Sequence, residues 1–139
     1  MFKNILLGVD GSPHSMHAAK ASGELARSLK ADLRIVVVFE PMPTYLGEPL
    51  LQQAISSRME TAEHVLHEAL NVIGEIPGQL KTEVLEGPTA EAILAAASIH
   101  NNDLIIMGSR GLGKLAGLLL GSQSQKVMQH ASCPVLIVR

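Results

Sequence analysis

The chain has 139 residues, a formal net charge of −2, one cysteine and no tryptophan, and aromatic residues make up 2% of it. That length suits a single domain over residues 1–139, with a core built from Leu, Ile, Val and Ala. The composition argues against nucleic-acid binding: there is no net positive charge and almost no aromatic platform for stacking bases. A lone Cys133 excludes an internal disulfide and a cysteine-based zinc site. The apolar run at residues 5–9 stops at Asp10, too short for a signal peptide, and no apolar stretch has the length of a bilayer span. A cytoplasmic protein without membrane contact is expected.

Strand and helix patterns alternate along the chain. Residues 5–9 (ILLGV) read as a first strand, and Ser12-Pro13 as a helix cap followed by proline at the first helical position. Ala18, Ala21, Leu25 and Leu29 keep the helical period. Residues 33–39 form a second strand, and a proline-rich segment, 41–49, follows it as a candidate lid. Leu51, Ile55, Met59, Ala62, Leu66, Ala69 and Ile73 then mark one face of a long helix ended by Gly74 and Pro77. Residues 80–86 alternate as a third strand, a helix carries Ala90, Ile93, Leu94 and Ala97, and residues 104–107 (LIIM) are a fourth strand. After a glycine-rich loop, residues 122–130 read as a last helix and 135–138 (VLIV) as a last strand.

Five strands alternating with four helices imply an α/β fold: a doubly wound, Rossmann-like parallel sheet with helices on both faces. The alternating third strand suits an edge, and right-handed crossovers then favour the order 3-2-1-4-5. The switch point falls between strands 1 and 4, so a ligand belongs where Asp10 and Gly108 emerge. The same order leaves the wholly apolar strand 135–138 at an edge, which predicts a homodimer pairing through Val135–Val138.

The stretch from Gly108 to Ser122, GSRGLGKLAGLLLGS, carries the most chemistry. A glycine loop between strand and helix presents backbone N–H groups to phosphate. No acidic residue follows Asp103, so the chain from residue 104 onward is formally +4 and residues 1–103 are −6, which suits an anionic ligand. Gly108 to Lys114 approaches a P-loop, but Leu115 stands where a magnesium-binding hydroxyl is needed. Gly111 to Ala116 approaches a dinucleotide fingerprint, but after the fourth strand and with no acidic residue beyond it to take a ribose. The spacing that fits is G-x2-G-x9-G-S, over Gly108, Gly111, Gly121 and Ser122. The alternative is a loop shaped by glycines with Ser122 as a plain N-cap.

With that spacing, residues 3–12 (KNILLGVDGS), 104–111 (LIIMGSRG) and 133–139 (CPVLIVR), the whole chain resembles the ATP-binding branch of the universal stress protein family. The resemblance implies ATP, with Mg2+, in each subunit of a homodimeric stress-response or signalling module. It implies that Asp10, beside Gly8 and Val9, faces the adenosine, and that Val38 meets adenine. Met107, Gly108, Arg110 and Gly111 would lie along ribose and phosphates, and Gly121, Ser122, Gln123 and Ser124 would contact the outer phosphates. Gln123 departs from the small apolar residue common there, while its backbone N–H stays available. No catalytic residue is evident: hydrolysis needs a group that orients water, so a slow or autophosphorylating enzyme is the alternative, and a ligand-free dimer the third reading. Outside this site, His64 and His67 lack a third metal ligand, and Cys133 is expected to pack. His14 and His17 are expected to be solvated, with approach of His14 to the mouth of the site as the alternative.

Overall fold

The computed structural model describes residues 1–110 and 120–139. Its elements are β1 (Asn4–Gly8), α1 (Pro13–Leu29), β2 (Asp32–Phe39), a 3-10 turn (Thr44–Leu46), α2 (Leu50–Ile73), β3 (Leu80–Glu86), α3 (Thr89–Ile99), β4 (Leu104–Gly108), α4 (Ser122–His130) and β5 (Val135–Val138). All strand pairs are parallel, and the sheet order is β3-β2-β1-β4-β5, as expected from the alternation of elements. Strand ends differ from expectation by about a residue, the usual uncertainty where pairing frays. The first strand begins at Asn4 and ends at Gly8, although the Val9 N–H still donates to the Val36 carbonyl at 3.1 Å.

Alternation along the central strands splits the core in two. Ile5 and Leu7 of β1, Leu33, Ile35 and Val37 of β2, and Leu104 and Ile106 of β4 face one side with α1 and α2. Leu6, Val36, Ile105 and Met107 face the other with α3 and Val127 of α4. Successive strand residues point to opposite faces, so a strand covered on both sides must be apolar throughout. In β3 this requirement relaxes: Lys81 and Thr82 are exposed, as befits an edge.

Small residues let α1 lie close to its neighbours. Ala18, Ala19, Ser22, Gly23 and Ala26 form its buried stripe. A Cβ on Gly23 would stand 2.8 Å from the Ile73 carbonyl, so only glycine admits the end of α2 there. The start of α1 follows the expected chemistry: the Ser12 side chain accepts the Ser15 N–H at 3.2 Å, and Pro13 occupies the first turn. Among the described residues no helix is long and apolar enough to cross a membrane.

Candidate functional site

A cavity of about 260 Å³ opens at the C-terminal ends of β1, β2 and β4. Open parallel sheets place their ligand crevices at this end, where the strand order reverses. Gly8, Val9, Asp10, Val38, Met107, Gly108, Arg110, Gly121, Ser122, Gln123 and Ser124 all line it. They arrive from four separated segments of the chain, and the topology brings them together. Gly111 lies outside the described residues.

One end of the cavity is an apolar slot. Val36 and Val38 of β2, Met107 of β4 and Ile93 of α3 form its walls. Gly8 makes room for the last: a Cβ there would come within 3.1 Å of Ile93 Cδ1. The other end is polar and rests on two turns. Asp10 Oδ1 accepts the Ser12 N–H at 2.9 Å, and Gly11 turns the chain at φ +87°, a left-handed conformation that glycine adopts without strain. Ser15 Oγ accepts the Asp10 N–H at 3.3 Å and donates to the Ser12 carbonyl at 2.9 Å, fixing the carboxylate's backbone.

Facing that turn, residues 108–110 are tied to the start of α4. The Ser109 carbonyl accepts the Gly121 N–H at 2.6 Å and the Ser124 hydroxyl at 3.0 Å. The N-cap of α4 is Gly121, not Ser122, and no side chain caps the helix. Its first turn therefore presents N–H groups and the positive end of the helix dipole at the cavity wall. This corrects the alternative in which Ser122 is a plain cap.

Several site residues behave differently from expectation. Gly121 has φ −74°, and Gly108 is absent from the left-handed glycines. Gly108 serves close approach, and to α1: a Cβ would lie 2.7 Å from the His14 carbonyl carbon and 2.8 Å from the Ser15 nitrogen. The Ser124 hydroxyl is engaged by the Ser109 and Gly121 carbonyls, which leaves its backbone for a ligand. Gln123 Oε1 accepts the Ala90 N–H at 3.0 Å, so it caps α3 from a neighbouring helix. That bond suits α3, whose N-cap is Pro88 with no side-chain cap of its own.

Among the described residues of the basic tail, Lys126 and Arg139 do not line the cavity. Lys126 sits 3.8 Å from Glu91 with both side chains more than half exposed, and the Arg139 carbonyl meets His17 Nδ1 at 3.0 Å. Lys114 lies outside the described residues. Among the described residues Arg110 is the cation that lines the cavity, and Asp10 the anion.

Ser15, Val36, Thr89, Ile93 and Leu120 also line the cavity, and sequence reasoning missed them. Ile93 carries the helical period that marks core residues, and its second role follows only from its position beside Gly8. Residues 41–49 do not line the cavity, whose wall on β2 ends at Val38.

His17, His64 and His67 are exposed as expected, whereas His14 is half-buried beside Ser109 and Arg110. Cys133 is half-buried against the second core cluster, and burial, with a smaller contribution from Asp103, pushes its thiol pKa up. Such a thiol is a poor nucleophile. Among the described residues no cluster of three or more His, Cys, Asp or Glu could hold a metal.

The family model described as "Universal stress protein family" matches residues 1–139. A universal stress protein of Thermus aquaticus is 49% identical over 139 residues, covering 100% of both chains. The universal stress protein UspA of Lactobacillus plantarum superposes with a TM-score of 0.88 at 25% identity, over 99% of this chain and 98% of that one. The same fold occurs in a universal stress protein solved with cAMP, at TM-score 0.73 and 22% identity, over 99% of this chain and 97% of that one. It occurs again in one from Archaeoglobus fulgidus solved with dAMP, at TM-score 0.70 and 16% identity, over 100% of this chain and 98% of that one. With its whole length matched by the family model and by a near-half-identical relative, the chain belongs to the universal stress protein family.

Proposed function

We propose that this protein binds an adenine nucleotide, ATP with Mg2+, in the cavity between Asp10 and the 108–124 turn, and that it works as a homodimeric stress-response or signalling module. The observation that carries the reading is the pairing of two unlike ends in one cavity. An apolar slot of Val36, Val38, Ile93 and Met107 suits a purine, and an uncapped α4 terminus with Arg110 suits phosphates. Proteins of this fold with cAMP and with dAMP bound support the choice of adenine.

The roles follow from this division. Val38 and Met107 would hold the base, and Asp10 would accept from adenosine hydroxyls. Gly108, Gly111 and Gly121 would admit the main chain close to ribose and phosphates. The N–H groups of Ser122, Gln123 and Ser124 would face phosphate oxygens. Magnesium would sit on phosphate oxygens and water, the arrangement in which this ion needs few protein ligands. ATP supplies charge and a bound shape here, and a signal arises where binding differs between two states of the protein.

The dimer is proposed through β5. Among the described residues that strand pairs with β4 on one side and with no strand on the other, and Leu136 is 37% exposed. An apolar strand with an open edge is a template for a second copy.

Acid extraction of the purified protein, with mass spectrometry of whatever is released, tests the nucleotide reading together with calorimetric titration of ATP, AMP and cyclic AMP. The proposal expects an adenine nucleotide in the extract or saturable heat with ATP. Neither in the extract nor in the calorimeter would the ligand-free dimer give a signal.

A further inference from the structure

The first turn of α1 grips the 108–110 turn at several points. The backbone at His14 and Ser15 packs where a Gly108 Cβ would be. Ser12 Oγ donates to the Arg110 carbonyl at 3.4 Å. The His14 ring then spans both following side chains, with Nδ1 at 3.4 Å from Ser109 Oγ and Nε2 at 3.5 Å from Arg110 Nη2. A guanidinium has donors only, so Nε2 is the acceptor in that contact. The other ring nitrogen, Nδ1, faces the Ser109 hydroxyl, which can either donate or accept. Ser109 is itself 2% exposed, so the ring is braced by a buried group.

His14 does not line the cavity, but Arg110 does. An arginine that must be ordered on binding loses rotamer freedom, and one already held in place loses less. His17, whose ring centroid lies 6.3 Å from that of His14, is turned to the Arg139 carbonyl and leaves the Arg110 contact to His14.

We infer that His14 is a positioning residue: it holds the Arg110 guanidinium at the phosphate end of the cavity and so sets how strongly the site distinguishes ligands by their number of phosphates. The inference rests on the nucleotide-binding reading above.

Calorimetry with ATP, AMP and adenosine on the wild type, His14→Ala, Arg110→Ala and the double variant tests it. Arg110→Ala weakens ATP by about tenfold or more and adenosine little, because a charge-assisted contact to phosphate is lost. His14→Ala weakens ATP by about three- to tenfold, leaves adenosine unchanged, and adds nothing in the Arg110→Ala background, as coupled residues do in a double-mutant cycle. His14→Gln keeps an acceptor oxygen and restores part of the ATP affinity, and it stands in if His14→Ala folds poorly.

Wild-type ATP affinity in His14→Ala overturns the inference. Equal loss for ATP and adenosine makes His14 a structural residue only. A full His14→Ala effect without Arg110 makes it a direct phosphate contact. A wild type that binds no adenine compound sinks the nucleotide reading itself, a result separate from these.

Discussion

The two ends of the same sheet differ in what their polar groups are doing. At the N-terminal ends of the strands the charges are engaged with one another. Glu83 Oε2 takes Arg34 at 3.0 Å and His100 at 3.4 Å. The Asp103 carboxylate accepts the N–H groups of Lys3 and Asn4 at 2.9 and 3.0 Å, and Asp32 accepts the Gln79 N–H at 2.8 Å. A polar cavity of about 240 Å³ lies there, bordered by Arg34, Lys81, His100 and Asn102. Among the described residues the Asn102 Oδ1 is the buried side-chain atom without a partner. Among the described residues, the cavity at the C-terminal ends is lined by one carboxylate, one guanidinium and a helix with no side-chain cap. Charge alone therefore does not mark the site. A helix start with no side-chain cap, beside an apolar slot, does.

Substitutions at the two ends should separate accordingly. Gly121→Leu has the largest expected effect: a bulky side chain at the α4 N-cap abolishes detectable ATP binding by calorimetry. The dimer proposed through β5 should persist by light scattering, since no β5 residue lines the cavity. A dimer that dissociates would show that site and interface are not separate. Gly108→Val comes next. Its side chain meets α1 backbone rather than a flexible side chain, so overpacking costs about 1–3 kcal/mol and lowers the thermal midpoint.

Glu83→Gln at the opposite end is expected to cost less than about 1 kcal/mol, as part-exposed ion pairs do, and to leave ATP affinity unchanged. A change in affinity there would mean that the two ends are coupled. The smallest effect concerns Cys133, close to Asp103 at the N-terminal end. With its pKa raised by burial, the thiolate form appears at higher pH than in an ordinary thiol. Alkylation by iodoacetamide should be slow at pH 7–8 and accelerate at higher pH than for free cysteine. Rapid labelling at pH 7 contradicts that environment.

The fold was legible because each element carries its own pattern. Apolar runs at 5–9 and 104–107 announce covered strands, alternation in Leu80–Glu86 announces an edge, and Ser12-Pro13 announces a helix start. Much of the described lining was legible too: the strand order pointed to Asp10 and Gly108, and the family resemblance to Val38, Arg110 and Gly121 to Ser124. What escaped depends on how helices are rotated against distant partners. No local signal says that Gln123 reaches the Ala90 N–H, or that His14 turns inward while His17 stays out. The reason for Gly108 was also hidden. Its place in the glycine loop suggests main-chain approach to a phosphate, and the structure shows a helix packed where its side chain would be.

Amide chemical-shift mapping by NMR during an ATP titration tests the difference between the two ends most directly. The account predicts saturable shifts at Asp10, Val38, Gly108–Arg110 and Gly121–Ser124, with the amides of Lys3, Arg34, Glu83 and His100 unmoved. Shifts confined to the N-terminal end, or none at any ATP concentration, would contradict it.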